Sequence, residues 1–423
     1  MTVGDAQAAM DVSLGSDALD RITDTETAVQ VTREILDNLL DNEIEIGLVE
    51  LFADNAIARV ASTNVSGDVI VNQSTVGELQ AIAIYTRNAI EGMLLANGHE
   101  LQRDLNTSIS FITDNYAHVS IQIDPSAVLT AVNEIRIRTE HYEFSLPPVF
   151  TANDVAQGSL NVTITRQVNS PRSYTINFSR PLDTTARLSV TPNEGDPTYQ
   201  TLQDSQGRII TSRYNPATDM LTARVIESGT LTVVENRVAF TDIQHRSAEM
   251  QRAITTLATQ GIISGVAPGR FNPDASISRA EFARIVTGML GTFDPNASSN
   301  FTDVRRGDWF FGAVGSASRQ RLMTGTSSTR FSPNMVIPRD QLVAVSARVL
   351  RDEMGVQTPA NPNAVLQTFS DSGSLAAWSI NDLALATRHN LVVRRADGRF
   401  APRDSMTRGD AAIILYRLYS RLW

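Results

Sequence analysis

Beyond residue 239 the apolar positions fall at helical spacing. Met250, Ile254, Leu257 and Ala258 line one face of a helix that Gly261 ends, and Ile262-Ile263 reads as a short extended piece before the Pro268-Gly269 turn. Phe282, Ile285, Val286, Met289 and Leu290 form a second stripe, matched by Leu342, Val345, Val349 and Leu350 and again by Ile414, Leu415 and Leu418. These second helices carry start signals. Ser278-Arg-Ala-Glu281 and Thr407-Arg-Gly-Asp410 place a hydroxyl at the N-cap and a carboxylate three residues on, and Pro338 stands where the middle one begins.

Before residue 239 the period changes. Thr27 to Leu40 and Thr75 to Ala96 read as amphipathic helices, the latter opened by a Thr75-Val-Gly-Glu78 capping box and stopped by Asn97-Gly98. Alternating runs follow at Ile109–Phe111, Val119–Ile123, Ile135–Ile137, Leu160–Ile164, Leu188–Val190 and Leu231–Val233, each with the period of two of a half-buried strand. Tyr214 to Thr222 reads as a hairpin with a turn-rich tip. With Leu146-Pro-Pro148 as a boundary, the expectation is a mixed α/β region over residues 1–145 and a β-rich, sandwich-like spacer over 146–239.

The helical part repeats three times. Phe240-Thr-Asp242, Phe301-Thr-Asp303 and Phe369-Ser-Asp371 open the copies, and the Arg-Phe-x-Pro phenylalanines Phe271, Phe331 and Phe400 follow 30 or 31 residues later. Eight residues past each of these stands an arginine, Arg279, Arg339 or Arg408. Each copy reads helix, loop, helix, giving modules over 240–298, 299–366 and 367–423. One such module buries little by itself, so the three are expected to share one core.

Charge divides along the same line. Residues 1–239 hold 15 Arg against 31 acidic residues, a net of −16, whereas residues 240–423 hold 21 Arg against 15, a net of +6. A basic part on an acidic chain points to an anionic partner, with solvated arginine faces as the plain alternative. Cysteine is absent and only five histidines are present, which excludes disulfides, thiolate sites and a zinc constellation. Lysine is absent too, and nothing in the sequence explains that. No run is apolar for the roughly 18 residues that a bilayer needs, and Met1 to Met10 lacks the features of a signal peptide. The nucleophile elbow, the metalloprotease helix, the phosphate loop and the calcium loop are all missing. No cofactor, metal or nucleic acid is expected.

The run Phe240-Thr-Asp242, Gly261-Ile-Ile-Ser-Gly265, Gly269-Arg-Phe-Asn-Pro273 and Ile277-Ser-Arg-Ala-Glu-Phe282 resembles the S-layer homology domain. The resemblance implies an all-α-type unit of three helix-loop-helix modules with pseudo-threefold shape. It implies as partner a secondary cell-wall polysaccharide, often pyruvylated, bound in grooves between modules. Arg279, Arg339 and Arg408 fall in the first turn of a helix, where the macrodipole disfavours a cation by roughly 0.3–1 kcal/mol. That placement makes sense if an outside anion accepts from the guanidinium and from the helix N-terminal amides together. The alternative is that each arginine pairs with an acidic neighbour such as Glu281 or Asp340.

By the same resemblance Asp242, Asp303 and Asp371, with Glu281 and the indoles of Trp309 and Trp378, complete the sugar grooves, although a tryptophan there reads equally as core. The copies differ. Glu249 or a neighbour stands where the first copy should carry its tryptophan, and the second copy has Pro338-Arg-Asp-Gln341. The third has Val392-Val393-Arg394 where the first has Ile263-Ser264-Gly265. One or two working sites are therefore expected, with Arg279, Trp309 and Arg339 foremost. The sequence thus reads as a non-enzymatic, extracellular cell-wall protein, a lattice subunit or stalk. Its rivals are the wall anchor of an exported enzyme such as a glycan hydrolase, and the same repeat used for protein–protein assembly.

Overall fold

The computed structural model describes residues 108–422 apart from 113–116, 128–133, 148–149, 151, 168–171, 183, 217 and 393. Before Ser108 it describes only Val69–Val71 and the isolated residues Thr23, Thr27, Gln30, Val31, Val76, Gly77, Ile84, Asn88 and Gly92. The helices expected over 27–40 and 75–96 lie largely outside these residues, and the nine that fall inside the two ranges or beside them are helical from Thr27 onward, strand residues excepted. Two compact units divide after Glu235.

The first unit is built from two sheets. Strands β1 (Val69–Val71), β3 (His118–Ile123), β6 (Leu160–Gln167), β7 (Ser173–Phe178), β13 (Gly229–Glu235), β9 (Gln200–Asp204) and β10 (Ile209–Ile210) lie side by side in that order. The second sheet runs β11 (Ser212–Asn215), β12 (Met220–Val225), β8 (Ala186–Val190), β5 (Tyr142–Leu146), β4 (Glu134–Arg138), β2 (Ser108–Ile112). Pairing is antiparallel except for β1 with β3 and β2 with β4. The alternation read from the sequence decides which face is buried: Val119, Ile121 and Ile123 of β3 and Leu160, Val162 and Ile164 of β6 join one core with Leu188 and Val190 of β8. Tyr142 of one sheet meets Tyr174 of the other edge to face, with centroids 5.7 Å apart.

The boundary expected at Leu146 is not where the sheets divide. β3 pairs with β6 and β5 with β8, so strands from both sides of the Pro147 segment interleave in both sheets. Proline at 147 ends a strand, and a strand end looks the same in sequence whether the next strand joins the same sheet or a new domain. The hairpin expected at Tyr214 to Thr222 forms, with Asn215 opposite Met220.

The second unit is helical and begins with its first module. Helix α1 (Ala152–Ala156) belongs to the β unit; here the helices are α2 (Ala248–Thr259), α3 (Arg279–Met289), α4 (Phe311–Arg319), α5 (Arg339–Met354), α6 (Pro362–Leu366), α7 (Ile380–Arg388) and α8 (Arg408–Tyr419). Ser278 and Glu281 form the expected capping box on α3, Thr407 caps α8, and Pro338 precedes α5. Ile262 and Ile263 do not extend: both amides donate to Leu257 O, wrapping the chain around the end of α2.

The helices that pack together come from different modules. The first helix of each copy lies on the second helix of the copy before it, α4 on α3 and α7 on α5, while α2 lies on α8 of the last copy. Their apolar stripes form one core from Phe240 to Leu422. In α4 the approach is close enough to require glycine: a Cβ at Gly315 would stand 2.1 Å from Ala297 O. Gly315→Ala is therefore expected to destabilise this unit by about 2 kcal/mol or more, read as a lower thermal midpoint. An unchanged midpoint would mean that segment 294–298 yields freely.

Candidate functional site

Each module is pinned by its opening aspartate. Asp242 accepts from the amides of Phe271 and Asn272 at 2.9 and 2.7 Å, Asp303 from those of Phe331 and Ser332, and Asp371 from those of Phe400 and Ala401. The second residue of each pair, Asn272, Ser332 or Ala401, has a positive φ near 58°, so the carboxylate holds a turn that the backbone resists. Both oxygens of each aspartate are thereby engaged. These three, expected to accept from sugar hydroxyls, here hold a loop through both oxygens. Burial tends to raise Asp242 and Asp303, but the two amides and a nearby arginine outweigh it and keep both below the usual aspartate value.

The modules are then tied to one another in a cycle. Ile337 N donates to Ile277 O, Met406 N to Ile337 O and Ile277 N to Met406 O, at 3.0 to 3.1 Å. Beside this triangle the first two amides of each second helix donate to carbonyls of the following module. Arg279 and Ala280 bond Met335 and Pro333, Arg339 and Asp340 bond Asp404 and Pro402, and Arg408 and Gly409 bond Ala275 and Pro273. The helix N-terminal amides expected to bind an outside anion are thus satisfied inside the protein. A carbonyl is enough to satisfy an orphan helix amide, and the repeat supplies one at each start.

The three arginines follow the same cycle. Arg279 donates Nε to Phe331 O at 2.9 Å, Nη2 to Thr324 O at 2.6 Å and Nη1 to Gln341 Oε1, with its guanidinium 4.6 Å from the Phe331 ring. It is 4% exposed, and burial lowers its pKa. Arg339 is also buried, over the Phe400 ring. These two, expected to lead in ligand contact, are instead enclosed between modules. Arg408 differs. Its Nε bonds Phe271 O at 3.1 Å and its Nη2 bonds Ser264 O at 2.7 Å, while among the described residues Nη1 has no acceptor and the side chain remains part-exposed. Neither Arg279 nor Arg408 is paired with Glu281 or Asp340.

Arg408 opens onto a cleft of about 350 Å³. Its walls come from all three modules: Ile262, Ile263, Ile277 and Ile285 of the first, Trp309 of the second, and Ala411, Ala412 and Leu415 of the third. The polar lining is Arg408, Glu281, Arg284 and Ser264. Glu281 Oε2 accepts from Ser278 N at 2.7 Å, so its carboxylate is fixed at the rim. Trp309 is 61% exposed and presents its indole to solvent, as does Trp378 at 52%, so neither is a core residue. An apolar wall, an open indole and a guanidinium with a spare donor suit a sugar ring bearing an anionic group.

The repeat explains why the cleft opens here. At the place of Ala411 the other copies carry Phe282 and Leu342, both fully buried. At the place of Glu281 the second copy carries Gln341, which takes the Arg279 donor that Arg408 keeps spare. The arginine and indole types and the departure at Gln341 are visible in the sequence motifs, whereas Ala411 and Arg284 are not marked by them. Aligning the three second helices position by position exposes all of them, since each is where the copies disagree.

Comparison with known proteins agrees with this architecture. Three S-layer homology domains occupy residues 239–283, 300–343 and 368–412. The chain is 25% identical over 377 residues to an amylopullulanase of Thermoanaerobacterium thermosulfurigenes, covering 87% of this chain and 19% of that protein. It is 28% identical over 199 residues to a surface-layer 125 kDa protein of Lysinibacillus sphaericus, covering 46% and 16%. It is 27% identical over 189 residues to the exoglucanase XynX of Acetivibrio thermocellus, covering 45% and 17%. The chain therefore spans less than a fifth of each of these relatives. The first alignment is longer than the helical unit and so takes in much of the β unit as well.

Proposed function

We propose that this protein is held non-covalently on the outside of a bacterial cell wall by its three modules, which bind an anionic secondary wall polysaccharide. The observation that carries this is the cleft in which Arg408 keeps one donor spare beside the exposed indole of Trp309. The cyclic bonding of Ile277, Ile337 and Met406 supports a pseudo-threefold arrangement of the modules, with Arg279 and Arg339 as its interior ties. Arg408, Glu281 and Trp309 are the contact residues of the open groove, and Trp378 offers a second indole at the module boundary that follows.

The β unit is a non-catalytic spacer in this reading. Its support is the long alignment with the amylopullulanase, which is longer than the helical unit and falls within 19% of a larger protein. That same alignment favours a second reading, in which the two units are the anchoring part of an exported enzyme.

Sedimentation of the chain with purified wall sacculi, before and after stripping of the non-peptidoglycan polymer, tests the anchor. The chain is expected to pellet only with unstripped walls. Trp309→Ala, at an exposed position, should weaken retention without moving the thermal midpoint, and loss of one charged hydrogen bond in Arg408→Gln should weaken it about 10-fold or more. Retention on stripped walls would rule the polysaccharide out as the ligand.

A further inference from the structure

The three helix pairs balance charge in different ways. In the α5–α7 pair, Arg348 and Arg351 of the second helix meet Asp382 of the first at 2.9 and 3.1 Å. In the α8–α2 pair, Arg417 meets Glu249, with Nε 2.8 Å from its carboxylate. The α3–α4 pair breaks the rule. Its second helix carries Gly288 where the others carry Arg348 and Arg417, and its arginine stands four residues earlier, at Arg284. The partner helix α4, Phe311–Arg319, contains no acidic residue, and among the described residues no carboxylate pairs with Arg284.

Arg284 is held in place without being neutralised. Its guanidinium lies 3.9 Å from the Phe293 ring centroid, and its Nη1 occupies the space a Cβ at Gly288 would need, at 2.8 Å. The fold does not require a cation there. The equivalent positions of the other copies are Ala344 and Ile413, so an apolar residue serves the same helix face. Arg284 is an exposed residue, its guanidinium covered on the Phe293 side and open on the other, so it stays available to an outside anion. It lines the same cleft as Arg408, where two arginines stand against the single carboxylate of Glu281.

We infer that the cleft takes a glycan segment carrying two anionic groups, one held by Arg408 and the other by Arg284, so that Arg284 sets which wall polymers are accepted. This rests on the wall-polysaccharide reading. It is tested with the full chain and the polysaccharide released from wall sacculi, by calorimetric titration at several NaCl concentrations. Arg284→Leu keeps an apolar contact with Phe293 and is the variant of choice, with the thermal midpoint as its folding control. The expected result is binding about 10-fold weaker than that of the unaltered chain, with a shallower dependence on NaCl because one ionic contact is gone. Unchanged affinity in Arg284→Leu, or weaker binding with an unchanged salt dependence, would overturn the second anionic contact while leaving the anchor intact if Arg408→Gln still loses affinity. Failure of the unaltered chain to bind the polymer would instead remove the anchor reading itself.

Discussion

Replacing Phe331 with alanine is expected to lower the thermal midpoint of the helical unit by about 10 °C, the larger of the two stability effects that the module ties imply. Phe331 is wholly buried, its ring 5.5 Å from that of Phe301 and beneath the guanidinium of Arg279. A Phe-to-Ala change in a core costs about 3–5 kcal/mol, and in a unit of this size each kcal/mol moves the midpoint by roughly 2–4 °C. The loss reaches beyond one module. Arg279 belongs to the first module and Phe331 to the second, so the cavity also removes the surface on which the inter-module arginine rests. Scanning calorimetry of the full chain reads this directly. A shift of only 1 or 2 °C would mean that the ring and the arginine–phenylalanine stack contribute little and that the modules are held mainly by the backbone triangle of Ile277, Ile337 and Met406.

Asp303→Ala is expected to cost nearly as much, roughly 3 kcal/mol, because two charge-assisted hydrogen bonds to the amides of Phe331 and Ser332 are lost together. Ser332 then keeps its φ of 57° with nothing to hold it. The same carboxylate predicts an acid transition. Asp242 and Asp303 titrate below their ordinary value when folded, so the stability they lend is complete above the unfolded aspartate pKa of about 3.9 and is lost as pH falls through the lower folded value. The midpoint should thus drop steeply below about pH 4. Asp303→Asn cannot titrate and should follow a flatter curve over that range. An acid limb as steep as that of the unaltered chain would assign the effect to other carboxylates.

The strands and second-helix starts were legible because they are local. Alternation at Val119–Ile123 and Leu160–Ile164, and the hydroxyl-x-x-acid pattern at Ser278, depend only on residues a few places apart, and each formed the element it specified. The domain boundary at Leu146 failed for the opposite reason. Which sheet a strand joins depends on pairing with distant strands, and a proline at a strand end is silent about that. The enclosure of Arg279 and Arg339 was not legible for a similar reason. The position of the three arginines at a helix start was read correctly, yet Arg279 and Arg408 find carbonyl acceptors 45 to 144 residues away.

The sequence by itself determined the three-copy repeat, the helix and strand periods, the charge contrast between the halves and the residue types that gather at the cleft. Those follow from spacing and composition, which need no partner. Only the tertiary structure decided that Arg279 and Arg339 are enclosed, that Arg408 keeps a donor, and that Arg284 faces the same opening without a carboxylate. The physical reason is that each module completes itself on its neighbour: the same arginine is enclosed or keeps a donor according to whether the adjoining copy presents Gln341 or Glu281, and according to whether its own helix carries Phe282, Leu342 or Ala411 three residues on.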